Sequence, residues 1–323
     1  MSRATRVVGT LILTAAAVAY LAWKIEPGTT LDVLADTDLA WFALAVLIMV
    51  GTVPVLATRW GWMLEAHGII EPVRWLTRAY FVGYTAGQVL PTSLGGDAVR
   101  VVETARRNPG RTADITGTVV LERALGGAAT VLLGAVGFLL SVGRYDVSAY
   151  LWLEGVFVFG TIAAGFLFFA RSSRPLLRRT LPLLERFRVA RPLTAFYEGV
   201  HHFRARLGLL LAVFGVTLVV QAVRILAIWA AARAVGIDLD VRVYYVMGPL
   251  FFLVLLVPFT LNGLAVREAF FVSFLGSLGI GADRAFAAGF LFFLVTVLLA
   301  LPGAVVMVRS GVRGTTRPRV EHG

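Results

Sequence analysis

Two short stretches put polar and turn-forming residues into a chain that is otherwise strongly apolar. Residues 91–100 read PTSLGGDAVR and residues 258–267 read PFTLNGLAVR; six of the ten positions are identical, 167 residues apart. Pro91 and Pro258 lack a backbone donor and end a helix. Gly95 and Gly96, matched by Asn262 and Gly263, permit a sharp turn and close approach of a ligand to the backbone. Ser93 or Asp97 can cap the helix that follows. The free N–H groups and dipole of that helix start form an anion site. Arg100 and Arg267 lie one turn further on, where a guanidinium fork suits a phosphate. Thr260 stands in for Ser93, but Leu264 replaces Asp97, so the two copies are electrically unequal. Asp97 can cap, pair with Arg100 or carry a proton, and residue types alone leave these open.

Other polar residues sit inside apolar runs: Glu122-Arg123, Gln221 with Arg224, and Arg267-Glu268. Charge within a membrane is costly and by default suggests function. The alternative is structural, with the turns as plain breaks and the arginines paired to Glu103, Glu122 or Glu268. Glu122-Arg123 reads equally well as a snorkelling pair near the interface. Trp23, Trp41, Trp60, Trp62, Trp75 and Trp152 fit interfacial belts. His67, His201, His202 and His322 lie outside the apolar runs, and adjacent histidines point in different directions on a helix. There are no cysteines. No metal, cofactor or catalytic residue is therefore expected.

The elements that hold these residues are membrane helices. Of 323 residues 58% are hydrophobic and 15% charged, against about 45–50% and 25% in soluble chains. The net charge of +11 is almost all arginine. The positive-inside rule and an anionic cytoplasmic leaflet explain it more simply than nucleic acid does. Apolar runs predict spans at 7–23, 39–58, 115–142, 150–170, 207–230 and 285–308. The first is a retained anchor helix rather than a cleaved leader. Basic residues flank 79–97 on both sides, so this segment enters and leaves by one face. Residues 243–280, broken by Pro258, Asn262 and Gly263, do the same from the other face. The 171–206 loop holds nine arginines against Glu185 and Glu198, which places it in the cytoplasm with both termini.

The expected fold is an all-α polytopic membrane protein with about six full spans and two re-entrant or broken hairpins. One membrane domain covers 1–323. Within it, 39–142 forms repeat one, 150–170 a connecting span, 207–308 repeat two and 309–323 a basic tail. A second matching block, GIIEPVR at 68–74 against GIDLDVR at 236–242, supports the repeat. Arg59 and Arg224 lie near the ends of the preceding spans. Opposite faces for the two motifs make this an inverted-topology repeat, whose paired Gly/Pro interruptions point to a transporter's binding site.

PTSLGGDAVRVVE, followed by VVLERALG, and the later NGLAVREAFF resemble the lysylphosphatidylglycerol synthase transmembrane, flippase-like family over about residues 7–308. Asn262-Gly263 departs mildly from a pair of glycines. The resemblance implies a lipid-translocating domain in the cell membrane, with a membrane lipid as substrate. It transfers interest to Gly95, Gly96, Asp97, Arg100, Glu122, Arg123, Arg267 and Glu268. It leaves room for a separate lipid-modifying or glycosyltransferase enzyme as partner. Two other functions compete. One is an integral-membrane transferase acting on a lipid carrier through Asp97 and Glu122. The other is a partner subunit that transports nothing and presents the basic loop.

Overall fold

The computed structural model describes residues 18–89, 95–141, 206–256 and 265–315, together with Trp152 and Gly155. These residues form helices and no strands. After a helical stretch at 18–24 come α1 (Pro27–Ala35), α2 (Leu39–Glu65), α3 (Val73–Val89), α4 (Gly95–Arg107) and α5 (Thr112–Ser141). Then follow α6 (Leu207–Ala234), α7 (Val241–Leu256), α8 (Val266–Gly276) and α9 (Ala282–Thr315). Four of them, α2, α5, α6 and α9, are long and apolar enough to cross a membrane. Each runs a few residues beyond the span expected from sequence. Residues 7–17 of the expected anchor helix, the 150–170 span other than Trp152 and Gly155, residues 171–205 of the basic loop and the tail from 316 lie outside the described residues.

The long helices turn large apolar side chains outward. Leu47, Leu139, Leu211, Val219 and Val308 are exposed, as suits a lipid-facing surface rather than a watery one. The helices start and stop where local chemistry dictates. Asp38 caps α2 by accepting from the Ala40 and Trp41 N–H groups. Gly68 (φ 74°) and Gly236 (φ 75°) take the left-handed conformation just after α2 and α6. The Ile69 N–H then returns to the Leu64 carbonyl at 3.0 Å, and the Ile237 N–H to Ala232 at 3.1 Å. The GI pair shared by the two matching blocks is thus a shared helix stop.

The order α2–α3–α4–α5 recurs as α6–α7–α8–α9. Lengths of 27, 17, 13 and 30 residues are followed by 28, 16, 11 and 34. α2 and α6 form the central pair and run antiparallel. The Asp38 N–H donates to Ala234 O at 2.8 Å at one end. Arg206 reaches Ala66 O at 3.3 Å at the other. The short helices cross over between halves: α3 packs on α9, and α7 on α5. Both crossings are closed by a glycine. A Cβ on Gly303 would overlap the Phe81 carbonyl, and one on Gly137 would overlap the Tyr245 carbonyl. Small residues allow this approach, as is common between membrane helices. Thr85 Oγ1 donates to Ala300 O at 2.6 Å beside the first crossing.

α3 packs on α4, and α7 on α8. Residues 90–94 and 257–264 lie outside the described residues. With them lie Pro91, Ser93, Pro258, Asn262 and Gly263.

Candidate functional site

Glu122 organises the first half. It lies on α5, on the face shared with Thr118 and Thr130 at helical spacing. α2 brings Arg59 and Trp60 to it, α3 brings Tyr80, and α4 brings Asp97 and Arg100. Glu122 Oε1 accepts from Arg59 Nη2 and from the Tyr80 hydroxyl. Oε2 accepts from Arg100 Nη2 at 2.9 Å. The same Nη2 lies 3.1 Å from Asp97 Oδ1, and the other Asp97 oxygen takes Arg123 Nε. Arg59, Arg100 and Glu122 are all buried.

Aromatic rings complete the enclosure. The Arg100 guanidinium sits 4.3 Å from the centre of the Trp60 ring and 4.2 Å from that of Tyr80. A cation over such faces is attracted to the ring quadrupole. The two rings stand at 90°, with centroids 5.8 Å apart. Trp60 Nε1 donates to Thr118 Oγ1 at 3.0 Å, which satisfies the indole. Trp60 is therefore a core residue and not part of an interfacial belt: it is fully buried. Backbone proximity makes the cage possible. A Cβ on Gly96 would overlap the Gly83 carbonyl, so only glycine lets α4 lie this close to α3.

Several sequence expectations change here. Asp97 is the third residue of α4, and its carboxylate is spent on two arginines instead of on a cap. Gly95 opens that helix. Glu122 and Arg123 do not snorkel together: Glu122 turns inward, while the 41% exposed Arg123 turns toward Asp97. Adjacent helix positions diverge by about 100°, which separates them. Arg100 takes Glu122 and not Glu103. Its Nη2 is thus shared between two carboxylates, while Nη1 is buried without a partner, as is Arg59 Nε.

The centre of the bundle carries a reciprocal pair. Arg59 Nη1 donates to Thr217 Oγ1 at 2.6 Å, and Arg224 Nε donates to Thr52 Oγ1 at 3.0 Å. Each arginine thus crosses between α2 and α6 to a threonine of the other half. Arg224 Nη2 also donates to the Tyr84 hydroxyl at 2.6 Å. Gln221, expected beside Arg224, donates to Thr130 Oγ1 at 3.2 Å.

In the second half, Arg267 and Glu268 are both buried in the first turn of α8. Arg267 Nε donates to Glu268 Oε1 at 3.0 Å, and Glu268 Oε2 has no partner. The Arg267 guanidinium lies 4.5 Å from the Phe293 ring centre. Among the described residues no group of His, Asp and Glu could hold a metal ion.

A second polar cluster lies at the α2–α3 turn. Glu71 accepts from Arg107 Nε at 3.0 Å and from Asn108 Nδ2 at 2.9 Å. These bonds raise the Arg107 pKa above its ordinary value.

The motif reading passed over Tyr80, Tyr84, Thr52 and Thr217, and noted Arg59 as the counterpart of Arg224 without counting it in the site. The signal for them was available in part. Arg59 and Arg224, Thr52 and Thr217, and Tyr80 and Tyr245 are each separated by 165 residues.

Residues 6–303 match the family described as the lysylphosphatidylglycerol synthase TM region. A stretch of 109 residues is 37% identical to glycosyltransferase AglD of Haloferax volcanii, covering 33% of this chain and 17% of that protein. The chain thus spans only a minor part of that relative's length. The helical bundle with outward-facing apolar spans agrees with a family match over nearly the whole chain: the protein belongs to the lysylphosphatidylglycerol synthase TM region family and is a multi-pass membrane protein.

Proposed function

We propose that the protein is a lipid flippase-like transporter that moves an anionic or phosphate-bearing lipid, aminoacylated or polyprenyl-linked lipids included, between leaflets. It acts in the cell membrane with both termini cytoplasmic. The observation that carries this is the excess of cations inside the spans. In the first-half cluster, Arg59, Arg100 and Arg123 face two carboxylates, Asp97 and Glu122, and Arg224 of α6 adds a further cation held by hydroxyls. A bilayer interior disfavours such an excess unless an anion visits it. The antiparallel exchange between α2 and α6 supports an inverted-topology repeat, the arrangement in which two halves rock about a central site. The two hairpins expected from the sequence are the moving parts in this reading.

The test is translocation of fluorescent phosphatidylglycerol in reconstituted vesicles. Movement faster than in protein-free vesicles is expected, and its absence overturns the reading. Arg100→Ala and Arg267→Ala are each expected to slow transport. If both leave it intact, the hairpin arginines have no part in it.

A second reading, a transferase acting on a lipid carrier, draws on the name of the AglD relative. Asp97 and Glu122 would have to serve as base or nucleophile, yet both are held by arginines. Product formed from a labelled donor by the purified protein would favour it over transport.

A further inference from the structure

The polar groups inside the spans differ in one respect: which of the arginines already has a counterion. Arg59 and Arg100 share Glu122, Arg100 and Arg123 share Asp97, and Arg267 has Glu268. Among the described residues Arg224 bonds only hydroxyls, those of Thr52 and Tyr84. A hydroxyl accepts a hydrogen bond but neutralises nothing, and a guanidinium in a protein does not shed its proton.

The position makes this costly. Thr52 is the central residue of α2, halfway between Leu39 and Glu65. Arg224 reaches it from a site near the middle of α6 (Leu207–Ala234). The charge therefore stands about midway along two adjacent spans, where the penalty for an unpaired ion is greatest.

The partners also have a direction. Thr52 spends its own proton on the Met49 carbonyl at 2.7 Å and so offers Arg224 only a lone pair. Tyr84 accepts from Arg224, which leaves its O–H to donate elsewhere. Arg224 is half-exposed, and its Nη1 edge has no partner among the described residues. Nη1 and the phenol O–H beside Nη2, both donors, have no acceptor among the described residues. A tetrahedral oxyanion matches that set, since arginine binds phosphate through paired N–H donors.

We propose that Arg224, held by Thr52 and assisted by Tyr84, is a mid-membrane binding site for a phosphate group. The phosphate is carried on a lipid head group or is free in solution. The lipid source rests on the transport reading. Arg100 and Arg267, already paired to carboxylates, then position the hairpins, and Arg224 takes the cargo's charge.

The full chain, purified in dodecyl maltoside, which carries no phosphate, is titrated with dihexanoyl phosphatidylglycerol and, separately, with sodium phosphate at fixed ionic strength. Isothermal calorimetry reads binding. Saturable binding of at least one is expected, weakened roughly tenfold or more by Arg224→Gln, in part by Tyr84→Phe, and least by Arg224→Lys. Loss of lipid binding identifies the head group as ligand, and loss of phosphate binding alone identifies the free anion. If Arg224→Gln fails to elute as a single species, Tyr84→Phe carries the test. Unchanged affinity in the variant tested, or no saturable binding to the wild type, overturns the site. The transport assay separates the two ideas. Wild-type transport matched by Arg224→Gln removes the site and keeps the transporter. Arg224-dependent binding without transport does the reverse.

Discussion

The two halves share a helix order but neutralise their equivalent arginines differently. In the first half Arg100 of α4 reaches Glu122 of α5, which also holds Arg59 and Tyr80. In the second half Arg267 turns to its own neighbour Glu268. Gly289 on α9 lies beside the Glu268 backbone and Phe271. A glycine there offers no carboxylate, so the anion comes from the adjacent position of α8. The first arrangement ties four helices together. The second ties one helix to itself and packs its remainder among Phe251, Phe271 and Phe292. The same scaffold thus carries a polar lock on one side and an aromatic one on the other. The Arg267–Glu268 pair joins no second helix and so holds its surroundings less firmly than the network that ties four helices through Glu122.

The comparison can be broken most easily at its carboxylates. Glu122→Ala leaves buried Arg59 without a carboxylate, Arg100 with only the Asp97 it shares with Arg123, and Tyr80 without its acceptor, and is expected to cost about 3–5 kcal/mol. Glu268→Ala strands one and should cost less. Thermal unfolding of both variants in detergent ranks them, and a reversed order would mean that the second half is the rigid one. Gly303→Ala and Gly137→Ala come next. Each forces a methyl into a backbone carbonyl, at roughly 1–3 kcal/mol. Near-equal losses in the same melt would confirm that the two crossings are equivalent, and unequal losses would deny it.

Thr217→Val and Thr52→Val each remove one hydroxyl from an arginine, at about 1.5 kcal/mol. Double-mutant cycles with Arg59 and Arg224 should return similar coupling energies if the central pair is reciprocal. The smallest effect belongs outside the spans. Arg107 is 48% exposed, so Arg107→Ala should change stability by about 1 kcal/mol or less, and less still in high salt.

Much of this architecture is readable in the residue pattern. Long apolar runs locate α2, α5, α6 and α9, since little else explains them. The matched GI pairs mark where α2 and α6 stop, because left-handed glycines leave a compositional trace. Partner choice is harder to read. Whether Arg100 meets Glu103 or Glu122 depends on how closely α4 approaches α3. That distance is set by Gly83 and Gly96, which look like ordinary turn glycines in sequence. Trp60 misleads for a related reason: tryptophan near a span's end is common at interfaces, and only the Thr118 hydroxyl on a distant helix explains its burial. Asp97 looks like a cap because it follows two glycines. The helix starts earlier, and two guanidinium groups outbid the free N–H donors for its oxygens.

The crossing of α3 on α9 also has a bearing on how the protein is made. Phe81 leaves the ribosome long before Gly303, with more than 200 residues between them. At roughly 5–20 residues per second, that is a wait of about ten to forty seconds. During it the first hairpin is in the membrane without the helix that closes over it. The first half is therefore completed only when α9, made more than 200 residues later, joins the membrane.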